Sequence, residues 1–161
     1  MDRTDFDKGS TTVISIVMGF AFILIPICPI LNYFGIGYCK LIWLSTIGLM
    51  LGAIGAVIRY AAFSTLGRFF TRTLRKVESH ALVTSGIYKY IRHPGYLSDI
   101  LIFFGLALAM GNLIAIILIP ISFIPAYIYR IKMEEKMLTQ MFGKDYIDYS
   151  KHTKKLIPFV F

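Results

Sequence analysis

Long blocks without any charged residue constrain the fold of this chain more than any other feature. Thr11–Leu31 and Leu41–Ile58 contain no Asp, Glu, Lys or Arg, and Ile100–Tyr129 is a third such run. A helix of roughly 20 apolar residues is long enough to cross the hydrocarbon core of a bilayer. The first two blocks each match one crossing, so the pattern predicts membrane-spanning helices.

The third run is too long for one crossing, and Gly111-Asn112 within it is a typical turn dipeptide. We therefore expect two short helices there, Gly95–Met110 and Leu113–Tyr129. Hydrophobic residues make up 57% of the chain and charged residues only 16%, which excludes an ordinary soluble domain. The predicted fold class is all-α: a polytopic integral membrane protein with four transmembrane helices and a cytosolic C-terminal helix.

The basic residues are unevenly distributed between the predicted loops. Of the 17 Lys and Arg residues, seven lie in Arg59–Arg92 and seven lie from Arg130 onward, whereas none lies in the Gly111-Asn112 turn. The positive-inside rule then predicts that both termini and the middle loop are cytoplasmic. The net charge of +8 suits contact with anionic membrane lipids, and a nucleic-acid partner is not expected. The mixed-charge leader does not have the pattern of a cleaved signal peptide, so the first helix should remain in the membrane.

Small residues predict where two helices approach closely. Gly48, Gly52 and Gly55 form a stripe on the second helix, with Gly48 and Gly52 in GxxxG spacing. We favour a partner helix in the same chain over one in a second copy. Cys28 and Cys39 both fall near the outer face, and whether they pair is left open; neither has metal-ligand spacing, so no metal site is expected.

Two further segments flank the membrane. Ala61–Val77 alternates apolar and basic residues and is interpreted as an amphipathic anchor along the cytoplasmic interface. Arg130–Phe142 keeps helical spacing after the last span, and Gly143 is a natural C-terminal stop. The fourth helix should therefore run straight into a cytosolic helix.

The most unusual polar stretch is HALVTSGIYKYIRHPGYL, His80–Leu97, which lies between the hydrophobic blocks. In Arg92-His93-Pro94 the proline is expected to hold His93 in an extended conformation and to begin the third helix at its first turn. This directs an imidazole and backbone N–H groups to one place, which is a typical anion site. A lone histidine at an interface is more often structural, and for His80 both the structural and the cofactor-binding interpretation are kept.

Charged residues also stand at the ends of the spans. Arg59 ends the second helix and Arg130 the fourth, with Glu134 one turn further on. A plain Arg130–Glu134 ion pair would contribute only about 0.3–0.5 kcal/mol on a surface helix. Glu135 lies about 100° around the helix, so we do not expect the two acids to share one partner.

Together, these motifs resemble the isoprenylcysteine carboxyl methyltransferase family, within a wider group that includes the phospholipid N-methyltransferases. The resemblance rests on HALVTSGIYKYIRHPGYL, the Gly111-Asn112 turn and RIKMEEKMLTQMFGKDYIDY, and covers about Ile58–Tyr149. The combination of RHPxY with RxxxEE followed by FGxxY is specific, whereas either element alone is weak. Arg59-Tyr60-Ala61-Ala62 also resembles the arginine-containing helix end of the family.

The resemblance implies a cofactor and a division of roles. The implied methyl donor is S-adenosylmethionine, held by residues 59–161, a cofactor-binding and catalytic part that follows an N-terminal helix pair at residues 1–58 of a single 1–161 domain. Arg59, Arg130 and Glu134 would form the catalytic end, near the acceptor. The residues implied for cofactor binding are His80, Leu82, Val83, Gly86, Tyr88, His93, Tyr96, Glu134 and Glu135.

The chemistry favours a carboxylate acceptor modestly. A carboxylate is already ionised near neutral pH and needs no general base, but it needs a cation to place it, which arginine does well. We therefore expect methylation of a lipophilic, isoprenylcysteine-like or prenylated substrate at the cytoplasmic face. The alternatives are a phosphatidylethanolamine-type N-methyltransferase, a membrane reductase using a nicotinamide cofactor and a non-enzymatic membrane scaffold.

Overall fold

A computed structural model describes residues 9–39, 41–67 and 82–156 of the chain. Four long helices cover most of these residues: α1 (Ser10–Tyr33), α2 (Ile42–Leu66), α3 (Pro94–Met110) and α4 (Leu113–Phe142). A short helix, α5 (Lys144–His152), follows, and one 3₁₀ turn spans Gly86–Lys89. Within the described residues there is no strand beyond two isolated bridges. The all-α prediction is confirmed.

The membrane prediction agrees with these helices. Helices α1, α2 and α4 are each long and apolar enough to cross a bilayer, and α3 is a shorter apolar helix of 17 residues. The predicted split at Gly111-Asn112 is correct, because α3 ends at Met110 and α4 begins at Leu113. Gly111 adopts a left-handed φ of 60°, which ends α3 and reverses the chain. The protein is an integral membrane protein; its described residues contain three helices long enough to span a bilayer and one shorter apolar helix.

The glycine stripe on α2 packs against α3 of the same chain. A Cβ at Gly48 would lie 2.5 Å from the backbone of both Gly105 and Ala109, and a Cβ at Gly105 would lie 2.6 Å from the backbone of Gly48 and Gly52. Only glycine permits this backbone approach. The expectation of an intramolecular partner is confirmed, and α2–α3 is the closest helix pair in the fold.

A second packing unit is built from α1, α3 and α4. Its core contains the fully buried Ala21, Cys28, Phe123 and Tyr127, with aromatic edges in contact between α3 and α4. Cys28 and Cys39 are both free thiols, which answers the question of their pairing.

Side-chain amides join the α1–α2 connection to the α3–α4 turn at one end of the bundle. Asn112 caps α4 by accepting hydrogen bonds from the backbone N–H of Ile114 and Ala115. Its side-chain nitrogen donates to Asn32 Oδ1 at 2.7 Å and to the Ile36 carbonyl at 2.9 Å. The α1–α2 connection is thereby tied to the α3–α4 turn.

Beyond the last span, α4 continues without a break to Phe142, as predicted for Arg130–Phe142. Gly143, at φ 54°, separates it from α5. Of the predicted amphipathic segment, Ala61–Leu66 forms the last turns of α2, and residues 68–77 lie outside the described part of the chain.

Candidate functional site

Polar side chains from every part of the fold meet at one end of the bundle. They come from the end of α2, the start of α3, the extension of α4 beyond the membrane and the segment after α5. The sequence places them there because the residues flanking the charge-free blocks are charged or aromatic. Most of the sequence-predicted site residues are in this cluster; His80 lies outside the described residues.

His93 lies at the centre of the cluster, between two carboxylates. It is the N-cap of α3, with Pro94 at the first helical position, as the Arg-His-Pro pattern predicts, but its φ of −124° and ψ of 56° differ from the extended conformation expected. Its Nδ1 is 3.5 Å from Glu134 Oε2 and its Nε2 is 3.5 Å from Glu135 Oε1. The expectation that Glu134 and Glu135 would not share a partner is therefore wrong. Opposite edges of one imidazole meet two acids that diverge around α4.

The charge state of His93 follows from this arrangement. Burial alone would lower its pKa, but the carboxylates of Glu134 and Glu135 outweigh burial and raise the pKa above its ordinary value. The ring is 4% exposed, so a protonated imidazole here is held almost entirely by protein groups. The ring of Tyr96 stacks on it, with centroids 5.6 Å apart.

Tyr96 connects Arg130 and Glu134, two of the predicted site residues on α4. Its hydroxyl donates to Glu134 Oε2 at 2.6 Å and accepts from Arg130 Nε at 3.2 Å. Arg130 is buried, and its Nη1 also donates to Ser10 Oγ and Thr11 Oγ1, both at 2.8 Å. The Tyr96 hydroxyl thus joins Arg130 to Glu134, and Arg130 anchors the start of α1 to the cluster.

Arg59 has an acidic partner that sequence reasoning missed. Its Nη1 donates to Asp99 Oδ1 at 2.8 Å and to the Gly95 carbonyl at 3.3 Å. The other carboxylate oxygen of Asp99 accepts from the Tyr127 hydroxyl at 2.9 Å. An ionisable residue in an otherwise apolar membrane helix indicates function by default. Asp99, one turn into α3, is such a residue. It was missed because it lies just before Ile100–Tyr129, the run without charged residues.

The two groups of residues form one continuous site. The rings of Tyr96 and Tyr127 are in contact, with centroids 5.1 Å apart. The Arg59–Asp99–Tyr127 group is therefore adjacent to the Arg130–Tyr96–Glu134 group. The structure brings both predicted arginines to the same end of the bundle.

A salt-bridge cluster fixes the C-terminal segment to this site. Arg92 donates from Nε and Nη2 to Glu135 Oε1 at 3.0 and 2.9 Å, and Lys155 Nζ lies 3.0 Å from Glu135 Oε2. Arg92 Nη1 also donates to the carbonyls of Ser150 and Thr153. Backbone hydrogen bonds from Arg92 and His93 to residues 154 and 155 add a short parallel pairing. Arg92 was not among the predicted site residues.

The remaining predicted residues lie beside α2. An open cleft of about 480 Å³ is lined by Leu82, Val83 and their neighbours together with the last residues of α2. Gly86 has a φ of 56°, and a Cβ there would lie 2.6 Å from Thr65 Oγ1, so this position requires glycine. Burial, followed by the charge of Glu134, raises the pKa of Tyr88, and the Tyr88 carbonyl accepts from Tyr149 at 2.6 Å.

Two buried polar atoms in the cluster have no hydrogen-bond partner among the described residues. They are the hydroxyl of Tyr146, which is 3% exposed, and His93 Nε2, whose ion-pair partner Glu135 Oε1 lies 3.5 Å away. Burial, together with the charge of Glu135, raises the pKa of Tyr146, so its hydroxyl stays protonated. Buried polar atoms are nearly always hydrogen-bonded, so these two atoms have capacity for a further polar partner.

Comparisons with known proteins identify the family of this chain. The family model for phospholipid methyltransferases matches residues 43–145. Protein-S-isoprenylcysteine O-methyltransferase B of Arabidopsis thaliana is 34% identical over 73% of this chain and 61% of its own length. The corresponding enzyme of Tribolium castaneum is also 34% identical, over 80% of this chain and 47% of its own.

A solved structure has the same fold. The eukaryotic intramembrane Ras methyltransferase, an isoprenylcysteine carboxyl methyltransferase, superimposes with a TM-score of 0.72 at 30% identity. The match covers 91% of this chain and 52% of the solved one, and the chain spans about three fifths or less of the relatives named above. Because the family model covers well over half of the sequence, this chain belongs to the phospholipid methyltransferase family, and its sequence and fold resemble those of the isoprenylcysteine carboxyl methyltransferases.

Proposed function

We propose that this protein is a membrane methyltransferase that uses S-adenosylmethionine to methylate the carboxylate of an isoprenylcysteine-like acceptor. The relatives that carry this activity in their names support the proposal. The observation that carries it is the pairing of a partly open arginine, Arg59, with a buried cluster that contains two orphaned polar groups. We further propose that both termini and this cluster face the cytoplasm.

The described residues fit the proposed cofactor. S-adenosylmethionine offers hydroxyl, amino and carboxylate groups, and His93 Nε2 and the Tyr146 hydroxyl are buried atoms that make no hydrogen bond among the described residues. Glu134 and Glu135 are proposed to face its amino group, and Leu82 and Val83 line an open cleft. The bound cofactor would supply an electrophilic methyl group on a sulfonium. The roles proposed for Gly86, Tyr88 and Tyr96 are to shape this pocket, and His80 is proposed to line it as well.

Arg59 is proposed to hold the acceptor. Among the described residues, both hydrogen bonds of Arg59 leave from Nη1, and its side chain is 33% exposed. Its Nε and Nη2 therefore form an open edge that can receive a carboxylate through two parallel hydrogen bonds. The carboxylate held by Arg59 would accept the methyl group that the bound cofactor supplies, which gives a methyl ester. No proton has to be removed, so the task of the protein is alignment in a dry, electrostatically prepared site.

Arg130 and Glu134 have a different proposed role. Arg130 is almost fully buried, and its donors meet Tyr96, Ser10 and Thr11. Glu134 is held by Tyr96 and His93. We propose that this pair sets the electrostatic field at the reacting end, where positive charge is lost from the sulfonium during transfer.

Methylation of a lipid amine is the second candidate. The family model is named for phospholipid methyltransferases, and Asp99 is a carboxylate at the acceptor end. An amine would need a base to remove its proton. Asp99 accepts hydrogen bonds from Arg59 and Tyr127, and because both contacts stabilise its ionised form they make it a weaker base, so the carboxylate acceptor is favoured.

The function is tested with purified protein in lipid nanodiscs. Wild-type protein should bind S-adenosylhomocysteine in isothermal titration, which a scaffold would not do. With labelled S-adenosylmethionine, a farnesylated cysteine analogue should yield a base-labile volatile product, whereas phosphatidylethanolamine should not be labelled. Labelling of phosphatidylethanolamine alone would establish the amine alternative.

Variants of the proposed catalytic residues complete the test. Arg130→Ala and Glu134→Ala should each abolish turnover while the protein still extracts and folds. Arg59→Lys should reduce turnover more than it reduces S-adenosylhomocysteine affinity, because lysine cannot form the bidentate contact. Ser122→Ala is the matched control, since Ser122 bonds only within its own helix turn. Normal turnover in both alanine variants would contradict the site assignment.

A further inference from the structure

Asp99 is a charged residue within the apolar helix α3, and the proposed chemistry gives it no direct task. It lies one turn into α3, with a side chain only 13% exposed. An acid in this position is costly to desolvate, and it persists where a specific partner compensates it. The compensation comes from two other helices: Arg59 on α2 and Tyr127 on α4.

Among the described residues, the hydrogen bonds of Arg59 to Asp99 and Gly95 involve only one nitrogen of its guanidinium group. Asp99 Oδ1 and the Gly95 carbonyl both accept from Nη1, and the guanidinium carbon lies 4.7 Å from the centre of the Phe63 ring. These contacts fix both the plane of the guanidinium and its rotation within that plane. Among the described residues nothing bonds to the Nε–Nη2 edge, which is the edge that matches a carboxylate.

Tyr127 in turn fixes the carboxylate of Asp99. Its hydroxyl donates to Oδ2 at 2.9 Å, and its ring, only 1% exposed, is held against Tyr96 and Phe123. An arginine side chain has many rotamers, and ordering it during substrate binding would cost affinity. A preformed chain from Tyr127 through Asp99 to Arg59 removes much of that cost before the acceptor arrives.

We infer that Asp99 and Tyr127 are positioning residues that orient Arg59 so that its free edge selects the carboxylate of the acceptor. The inference rests on the proposed function, since it assumes that Arg59 meets the acceptor. It assigns to the Tyr127–Asp99 pair a specificity role rather than contact with the reacting atoms. The competing explanation is that the three residues only tie α2, α3 and α4 together.

Binding selectivity separates these explanations without depending on turnover. The probes are a farnesylated cysteine analogue with a free carboxylate and its methyl ester, titrated against the protein in nanodiscs. Wild-type protein should bind the free carboxylate more tightly than the ester. Asp99→Ala and Asp99→Leu should lose about tenfold or more of this preference, while their affinity for S-adenosylhomocysteine stays within about twofold. Tyr127→Phe should lose a smaller part, and Ser122→Ala should match wild type.

A double-substitution experiment identifies Arg59 as the residue through which Asp99 acts. If Asp99 works only by orienting Arg59, then Asp99→Ala should remove little further selectivity once Arg59→Ala is present. Additive losses would overturn the inference. So would a full preference for the carboxylate in the Asp99 variants, even if wild-type methylation proceeds as proposed.

Failure of the underlying proposal gives a different result. If wild-type protein shows no preference between carboxylate and ester, Arg59 does not hold the acceptor, and the inference falls with the acceptor assignment. If Asp99 variants lose stability and S-adenosylhomocysteine affinity together with selectivity, the tie between helices is the correct explanation. Asp99→Asn, which keeps the size and can still accept from Arg59, should restore part of the selectivity only under the positioning role.

Discussion

At the scale of single residues, His93 concentrates the electrostatics of the site. Glu134 and Glu135 approach its two ring nitrogens, and Arg92 and Lys155 in turn neutralise Glu135. Two carboxylates and two cationic side chains therefore surround an imidazole that solvent hardly reaches. Because its pKa is raised, the ring carries its proton in the folded protein over a wider pH range than in the unfolded chain.

This predicts a specific pH dependence of stability. A raised pKa in the folded state means that the stabilising contribution is complete below the unfolded value of about 6.5 and is lost as pH rises through the folded pKa. Wild-type protein in nanodiscs should therefore show a thermal midpoint that falls above neutral pH. His93→Asn, which retains a donor near Glu134 but does not titrate, should lack this component.

The comparison between the two proteins is the decisive measurement. Thermal unfolding followed from about pH 6 to pH 9 should give a difference between wild type and His93→Asn that shrinks as pH increases. Curves that remain parallel across this range would mean that His93 does not change its charge there. Tyr146, a neighbour whose raised pKa keeps it neutral, should not contribute below pH 9.

Sequence reasoning identified the residues that belong to compact motifs and missed those that depend on pairing between distant helices. The Arg-His-Pro sequence determines the backbone at His93 locally, so its position at the start of α3 was predictable. Asp99 and Arg59 are separated by 40 positions, and only the packing of α2 on α3 brings them together. The sharing of His93 by Glu134 and Glu135 was missed for the same reason. Angular separation on α4 says nothing about the size and position of a partner from another element.

At the scale of elements, the α2–α3 pair is determined by its glycines. Contact between the backbones at Gly48 and Gly105 sets the relative height of the two helices. Arg59 lies 11 residues after Gly48 on α2, and the relative height of the two helices places it beside Asp99 of α3. The glycine stripe therefore acts on the site at a distance, by fixing the register of the helices that carry it.

Two alanine substitutions on the same helix test this idea. At Gly48 a Cβ would meet backbone atoms at 2.5 Å, whereas at Gly52 nothing lies within 4 Å of it. Gly48→Ala should therefore cost about 1–3 kcal/mol through overpacking. Gly52→Ala should leave stability unchanged or slightly higher, because alanine favours the helix.

The readouts are the thermal midpoint and the selectivity for a carboxylate acceptor. Gly48→Ala should lower both, since a shift of α2 along α3 separates Arg59 from Asp99. Equal effects of the two substitutions would show that GxxxG spacing, rather than the contact seen at Gly48, governs the pair. The sequence predicted the glycine stripe and its packing within the chain, but it could not distinguish the glycine that lacks room for a Cβ from the one that has it.

At the scale of the whole molecule, the two ends of the bundle are built differently. At one end the amides of Asn32 and Asn112 satisfy each other and the neighbouring carbonyls. At the other end, charges from four parts of the chain meet around two polar atoms that make no hydrogen bond within the described part of the chain. Charge-free blocks predicted the number of helices, and their charged borders predicted which end carries the site. The orphaned atoms depend on three-dimensional packing and had no signal in the sequence.

This polarity leads to a prediction about orientation in the membrane. If the charged end faces the cytoplasm, the α1–α2 connection faces the other side, because four helices return the chain to its starting side. Cys39 is in that connection and is partly exposed, whereas Cys28 is fully buried. In intact cells that carry the protein in the plasma membrane, Cys39 should react with a membrane-impermeant maleimide. Cys39→Ser should abolish the labelling, since Cys28 is inaccessible.

The opposite face is tested with a cysteine on α5. The Lys151 side chain is 64% exposed, and its partner among the described residues is Asp148 on the same helix, so Lys151→Cys should not disturb the fold. In a Cys39→Ser background, Lys151→Cys should react only after the cells are permeabilised. The reverse pattern would mean that the cluster faces away from the cytoplasm, in conflict with the distribution of basic residues. Labelling of both positions in intact cells would place both connections on one side of the membrane and contradict an arrangement of four crossings.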